Sequence, residues 1–242
     1  IIAAEPNYKL HALETDGDPY AKYQWAIDNQ GQNHGTAGLD VKPRQEILGT
    51  NPDGKECVIA LVDTGMDYTH EDLQDVVWEN PVQSNQLRGR HGYDFINSDA
   101  DPMDANGHGT HCSGIMAANY NHIGIQGVTA NEKIKIMPLK ILDESGSGYG
   151  IEFVGAYNYI YKAQQLGVNV VAVNNSWGGV DEEESVIFRK LAELVGQKGA
   201  VSVCAAGNDG ADNDALGGDI SAIDSDVILA VAATNENDEL AA

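Results

Sequence analysis

Basic residues are scarce in this sequence. Lys and Arg total 14 against 37 Asp and Glu among 242 residues, which gives a formal net charge of −23. A surface of that sign repels nucleic acids and anionic membranes, so polyanionic partners are not expected. No apolar run approaches the ~20 residues that cross a bilayer, and no basic segment followed by a hydrophobic stretch marks a signal peptide.

Cysteine is also rare. Cys57, Cys112 and Cys204 are odd in number and stand in separate apolar contexts, so the sequence predicts no disulfide framework. The composition, 42% hydrophobic and 21% charged, suits one large globular domain. Acidic residues are scattered through Gly- and Asn-containing loops, a pattern that suits binding of a hard cation or simple solubility.

Short β-branched runs alternate with helical patterns from about Cys57 onward. The predicted strands cover 57–62, 134–141, 168–173, 200–204 and 227–231. The predicted helices lie near 108–118, 150–165 and 184–197. This order predicts an α/β fold, doubly wound, with a mostly parallel sheet and helices on both faces. Ligand sites in such sheets gather at the carboxyl ends of the strands.

Three polar side chains stand where chemistry is expected in such a fold. Asp63 follows the first predicted strand, although an acid there can also cap a helix. His108 opens a helix in Asn-Gly-His-Gly-Thr-His-Cys-Ser-Gly, and a helix N-terminus favours a neutral histidine that can accept a proton. Asn208 follows the strand at 200–204, where an amide can stabilise an oxyanion.

Together, and in this order, the three motifs resemble the subtilisin-like serine proteases over about residues 18 to 234. The resemblance implies that Asp63 orients His108, that His108 is the general base, and that Asn208 is an oxyanion donor. It also implies a nucleophilic serine in a Gly-Thr-Ser-Met-Ala context, which is absent from this sequence. We therefore expect the serine to lie beyond Ala242, and this chain alone to be inactive.

Two glycine-containing segments resemble the family's peptide-binding edges, which hold an extended substrate by main-chain hydrogen bonds. The implied substrate-binding residues are Gly146, Ser147, Gly148, Ser176, Trp177, Gly178 and Asp209. An ordinary Gly/Ser turn and a core tryptophan are the structural alternatives. Where the family has a Tyr-Pro-Ala segment in its specificity pocket, this sequence has residues 218–223 without proline, which leaves the pocket shape open.

A structural calcium ion is the cofactor that the resemblance implies. Its expected ligands are Asp18, Asp72, Asn121, Ile123 and Ile125, the last two through their carbonyls. Oxygen-only ligation suits calcium, and solvated loop acids are the alternative. Residues 1–15 resemble the end of an inhibitory propeptide and 16–242 the catalytic domain, so we expect a secreted or cell-surface zymogen that acts on proteins or peptides.

Two rival interpretations remain at this point. The first is a non-catalytic relative that binds peptides in the same cleft. The second is a thiol or metal hydrolase, since Cys112 lies one helical turn after His108 and His111 shares its helix. No acidic residue separates the two histidines as in the metallopeptidase motif, and a small buried cysteine is a common packing residue.

Overall fold

The computed structural model describes residues 17–41, 54–82, 85–129, 133–179, 185–210, 212–213 and 219–241. Its strands are β1 (Cys57–Asp63), β2 (Tyr93–Asp94), β3 (Ile134–Lys140), β4 (Val170–Asn175), β5 (Val201–Ala205) and β6 (Ile228–Val231). Its α-helices are α1 (His108–Ala117), α2 (Gly150–Gln165) and α3 (Val186–Gly196).

The strands form one sheet in the order β2-β3-β1-β4-β5-β6, and every neighbouring pair is parallel. The predicted α/β fold is therefore confirmed, with boundaries shifted by one or two residues. The sequence missed β2, because two residues at the sheet edge carry no periodicity that could mark a strand.

Alternation along β1 explains why helices cover both faces of the sheet. Val58, Ala60 and Val62 point into a large core that includes residues of α2 and α3. Leu61 points to the opposite face, into a smaller core with the end of α1. A central strand that is apolar on both sides must be covered twice, which is the physical basis of a doubly wound fold.

The chain changes direction in the sheet between β1 and β4. After β1 it passes through α1 on one face to reach β3, whereas after β4 it passes through α3 on the other face to reach β5. The carboxyl ends of β1 and β4 therefore border a crevice, the usual location of a ligand site in such sheets. Asp63 is the last residue of β1 and Asn175 the last of β4.

The segment before β1 is hydrogen-bonded to two loops that are distant in sequence. The Tyr20 amide donates to the Gly124 carbonyl at 3.0 Å, and the Asn29 side-chain amide donates to the Glu236 carbonyl at 2.9 Å. The propeptide-like segment 1–15 lies outside the described residues. None of the helices in the described ranges is long and apolar enough to cross a bilayer, and none of the three cysteines forms a disulfide.

Candidate active site

Asp63 and His108 meet at the carboxyl edge of the sheet. Nδ1 of His108, the first residue of α1, lies 2.7 Å from Oδ1 of Asp63. The Asp63 side chain is fully buried, while 47% of the His108 side chain is exposed. The imidazole is thus hydrogen-bonded on its buried side to a carboxylate, and its exposed part remains accessible to a reacting group.

The environment of Asp63 sets its electrostatics. Burial raises the pKa of this carboxyl, whereas the hydrogen bonds from His108 and from the Thr64 amide, at 2.7 Å, act to lower it. Its second oxygen, Oδ2, is buried without a hydrogen-bond partner among the described residues. The ionised form of Asp63 therefore depends on His108 and the Thr64 amide for its stabilisation.

The first turn of α1 is anchored by side chains from outside the helix. Its N-cap, Gly107, has a φ of 105° and no side chain that could accept a helix amide. The His108 amide donates instead to Oδ1 of Asn106 at 3.1 Å, and the Gly109 amide donates to Oγ1 of Thr64 at 2.9 Å. These bonds satisfy amides that a helix N-terminus otherwise leaves unpaired.

Asp104 supplies the third anchor. Its Oδ2 accepts from the Thr110 amide at 3.0 Å and from the Thr110 hydroxyl at 2.6 Å. Its Oδ1 accepts from the amides of Asn106 and Gly107 at 2.9 and 3.0 Å. Burial acts to raise the pKa of Asp104, but the hydrogen bonds from Gly107, Thr110 and Asn106 outweigh it and lower the pKa to about 2.

Glycine at position 109 is required by close packing. A Cβ atom there would lie 2.1 Å from the Gly65 carbonyl oxygen and 3.2 Å from Oδ1 of Asp63. Gly65 itself has a φ of +109°, and a Cβ on it would lie 2.5 Å from the Pro102 carbonyl oxygen. The start of α1 can approach the backbone after β1 this closely only because Gly109 lacks a side chain, and Gly65 allows the same close approach to the segment at Pro102.

Cys112 completes the immediate surroundings of His108. Asp63, His108 and Cys112 form the one group of three or more potential metal ligands found in the described ranges, with ligand atoms within 4.8 Å of one another. Burial, and next the charge of Asp63, raise the pKa of the Cys112 thiol to about 11. A thiol that stays protonated near neutral pH is a poor nucleophile, which weighs against the thiol-hydrolase interpretation.

The predicted edge at 145–148 is a turn organised by Asp143. Oδ1 of Asp143 accepts from the Ser145 amide at 2.8 Å, the Ser145 hydroxyl at 2.6 Å and the Ser147 amide at 3.1 Å. The Asp143 amide donates in turn to the Ser147 carbonyl at 2.8 Å. Those bonds occupy both main-chain groups of Ser147, and the Gly146 amide donates to the Asp143 carbonyl at 3.0 Å. An added peptide strand therefore has to pair with the Gly146 carbonyl or with Gly148.

Asn106 connects this turn to the helix of His108. Its Nδ2 donates to the Glu144 carbonyl at 3.0 Å, while its Oδ1 accepts from the His108 amide. One side chain, Asn106, is therefore hydrogen-bonded both to the loop of the predicted peptide-binding edge and to the residue predicted as the general base.

The second predicted edge, 176–178, follows β4 directly. The side-chain amide of Asn174, in β4, donates to Oγ of Ser176 at 3.0 Å. The Trp177 ring packs towards the core, with ring centroids 5.9 Å from Phe153 and 6.1 Å from Phe188. Gly178 is exposed. The Trp177 ring thus packs between this edge and the core, and part of the ring remains exposed.

Asn208 and Asp209 follow β5 at the same edge of the sheet, and both are exposed. Of the predicted pocket segment 218–223, the structure describes 219–223, which contains a 3-10 helix at Ile220–Ala222. The structure therefore gathers the ends of β1, β4 and β5, with their predicted catalytic and binding residues, along one edge.

A known protein family matches most of this chain. The family model described as the subtilase family, Peptidase S8, matches residues 54–242. This chain belongs to the subtilase family. The matched region begins just before β1 and includes Asp63, His108 and Asn208.

One relative of this subtilase is a serine proteinase by name. The chain is 32% identical to the thermophilic serine proteinase of Bacillus sp. strain AK1, over 98% of this chain and 50% of that protein. It is 36% identical to thermitase of Thermoactinomyces vulgaris, over 65% of this chain and 50% of that protein. It thus spans about half the length of these two relatives.

A solved structure shares the fold. The crystal structure of a cold adapted subtilisin-like serine proteinase superposes with a TM-score of 0.55 at 24% identity, over 78% of this chain and 58% of that one. At this identity the similarity supports the fold alone.

The subtilase chain also brings together the predicted calcium ligands. Asp18 and Asp72 are buried, and each accepts one amide, from Asn121 at 3.0 Å and from Ile125 at 3.1 Å. The remaining oxygens, Oδ2 of Asp18 and Oδ1 of Asp72, are buried without a partner in the described part of the chain. Burial raises the pKa of Asp72. The hydrogen bond from the Ile125 amide acts to lower it, and the charge of Asp18 acts to raise it further.

This donor set fits a hard cation. Two buried carboxylates with unpaired oxygens are costly unless a positive charge compensates them. Gly124 adds to the fit, because a Cβ on it would lie 2.3 Å from Oδ2 of Asp72. Asn121 Oδ1 accepts from the Ile123 amide at 2.9 Å, which orders the loop around the two acids.

Sequence reasoning missed the roles of Asp104, Asn106 and Thr64. A signal existed for Asp104 and Asn106, because acidic and amide side chains just before a helix are typical capping residues. Nothing in the sequence pattern marked Thr64, which reaches α1 only because β1 and α1 are adjacent in space.

Proposed function

We propose that this subtilase is a serine endopeptidase that hydrolyses peptide bonds by acyl transfer to a serine. The contact between Asp63 and His108 is the observation that carries the proposal. With Nδ1–H of His108 donated to the Asp63 carboxylate, Nε2 is left to take the proton of the nucleophile and later return it to the leaving amine.

The serine belongs to sequence outside these 242 residues. The sequence contains no Gly-Thr-Ser-Met-Ala stretch, and Ser176 is bonded to Asn174 in a loop rather than placed at the start of a helix. A base without a nucleophile gives no acyl-enzyme, so this chain alone is inactive in our proposal.

Substrate binding follows from the two edges. An extended peptide pairs with the main chain of 146–148 and 176–178, with Asp209 at the rim of the pocket for the residue before the scissile bond. Asn208 donates to the oxyanion, a contribution on the order of 10²–10³ in turnover in comparable sites. The exposed position of Asn208 after β5 supports this role.

Calcium is the structural cofactor in this proposal. Asp18, Asp72 and Asn121 would hold it by side-chain oxygens, and Ile123 and Ile125 by carbonyls. The ion would supply the positive charge that the two buried carboxylates lack, and so fix the N-terminal segment against the loop after α1. The unpaired oxygens of Asp18 and Asp72 support this assignment.

Processing and location complete the proposal. Residues 1–15 form the end of a propeptide that inhibits the cleft, 16–242 belong to the catalytic domain, and the enzyme is secreted or at the cell surface. One relative, 36% identical over 60% of this chain and 15% of that protein, is named cell wall-associated protease in Bacillus subtilis.

An active-site probe tests the proposal. A fluorophosphonate should label the polypeptide that carries the serine once per molecule, and His108→Ala in the same polypeptide should abolish labelling. The 242-residue chain should remain unlabelled. Labelling of this chain at Ser176 would identify a different nucleophile, and an inert full-length protein without such a serine would indicate a peptide-binding relative that does not catalyse.

A further inference from the structure

Asp219 places a carboxylate against the second peptide-binding edge. Its Oδ1 accepts from the Ser221 amide at 2.8 Å and the Ser221 hydroxyl at 2.7 Å, which caps the 3-10 helix at Ile220–Ala222. Its Oδ2 lies beside Gly178, where a built Cβ atom would be only 2.7 Å away. One oxygen is thus used within its own turn, and the other faces Gly178.

The charge of Asp219 also reaches the end of β5. Cys204, one residue before that end, is fully buried. Burial, and next the charge of Asp219, raise the pKa of the Cys204 thiol to about 12. The carboxylate therefore lies between the edge after β4 and the end of β5, the two walls of the proposed pocket.

No basic side chain compensates this carboxylate within the described ranges. The ion pairs found there are Arg90 with Glu79 and His108 with Asp63. Asp209, which follows β5, carries a charge of the same sign as Asp219. A half-buried carboxylate with one oxygen unbonded favours a cationic ligand, which can form a charge-assisted hydrogen bond with it.

We propose that Asp219 is a specificity-determining residue that selects substrates with Arg or Lys immediately before the scissile bond. The guanidinium or ammonium group contacts Oδ2 of Asp219 while the aliphatic stem passes over Gly178. This inference rests on the proposed function, because it takes the edge 176–178 and the end of β5 as the walls of the pocket.

Peptide binding to this chain tests the assignment without catalysis. The probes are acetyl-Ala-Ala-Ala-Arg-amide and its norleucine counterpart, which lacks the charge at similar length. At low salt the arginine peptide should bind about 10- to 100-fold more tightly, the range expected for a charge-assisted hydrogen bond. The preference should shrink as salt screens the pair.

Three variants separate the charge from the turn. Asp219→Asn keeps an acceptor for Ser221 and should reduce the preference to within about twofold, leaving the norleucine peptide unaffected. Ser221→Ala perturbs the turn but retains the charge, and should keep the preference. Asp224→Asn removes an equal charge from an exposed position nearby, and should also keep it.

Each outcome is decisive. Retention of the arginine preference in Asp219→Asn overturns the assignment of Asp219 and leaves the proposed function intact. Loss of the preference in Ser221→Ala with the charge retained overturns it as well. If neither peptide binds, the assignment of Asp219 is overturned, and fluorophosphonate labelling of the serine-bearing polypeptide decides separately whether the proposed function stands.

Discussion

The Thr64 hydroxyl accepts the Gly109 amide at 2.9 Å and so ties the residue after Asp63 to the residue after His108. The Thr64 carbonyl accepts from the buried Lys140 ammonium of β3 at 2.7 Å. Strand β1, strand β3 and helix α1 are therefore fixed to each other at the point where Asp63 meets His108. The geometry of that pair depends on backbone anchors as well as on the pair itself.

Removing the Thr64 hydroxyl should weaken this anchor. In Thr64→Val the buried Gly109 amide loses its acceptor, so we expect the free energy of unfolding to fall by about 1–3 kcal/mol. Thr64→Ser keeps the hydroxyl and should lose much less. Denaturant unfolding of both variants measures the difference, and equal stabilities would show that the bond is unimportant.

Asp63→Asn should abolish most activity with little loss of stability. The amide cannot stabilise an imidazolium and favours the wrong tautomer, so kcat should drop on the order of 10⁴-fold in the serine-bearing polypeptide. Burial already disfavours the charge on Asp63, so unfolding of this chain should change little. Steady-state kinetics and denaturant unfolding check the two expectations, and unchanged turnover would contradict the role of Asp63.

Asp104→Ala should destabilise the chain by about 1 kcal/mol at neutral pH, the usual effect of losing a helix cap. The folded-state pKa of Asp104, about 2, lies below its ordinary value of 3.8. Its contribution is therefore complete above the ordinary pKa and is lost as the pH falls through 3.8 towards 2. The difference from the parent protein should shrink over this range and disappear below pH 2.

The matched control for that experiment is Asp101→Asn. It removes the same charge from the same loop, keeps an acceptor for the Tyr68 hydroxyl, and lies outside α1. A pH-independent effect of Asp104→Ala, or an equal effect of Asp101→Asn, would argue against the capping role.

Calcium removal should lower the melting temperature. A cation that binds only the folded state stabilises it by mass action, so EDTA should reduce Tm and added calcium should restore it. Asp72→Ala should remove most of this sensitivity, whereas Asp75→Ala, at an exposed neighbouring position, should retain it. Differential scanning calorimetry that finds no effect of EDTA on any form would show that the site is absent.

Cys112 should react slowly with alkylating agents. A thiol with a pKa of about 11 instead of 9.0 has a roughly hundredfold smaller thiolate fraction near pH 8. The rate of alkylation by iodoacetamide, measured by mass spectrometry, should rise with pH up to about pH 11. At a given lower pH the rate should be higher in Asp63→Asn, because the charge that helps to raise the thiol pKa is removed. Loss of turnover in Cys112→Ala would instead support a thiol mechanism.

The sequence by itself determined the fold class and the order of the motifs. Buried parallel strands are β-branched runs, and the Gly-His-Gly-Thr-His motif combines a helix start with glycines that close packing requires, so both signals are local. These signals were enough to place Asp63 and Asn208 at one edge of the sheet, because parallel strands share the edge at which they end. The pairing of Asp63 with His108 was implied by the family resemblance.

Only the tertiary structure decided which side chains meet there from distant loops. Thr64 bonds to the first turn of α1 because the segment after β1 passes beside it, and Asp104 and Asn106 bond to the same turn from the loop that leads into the helix. Asp219 lies against Gly178 because the ends of β4 and β5 are neighbours in the sheet. Such contacts depend on where loops cross in space, and no periodicity within one segment encodes the position of another.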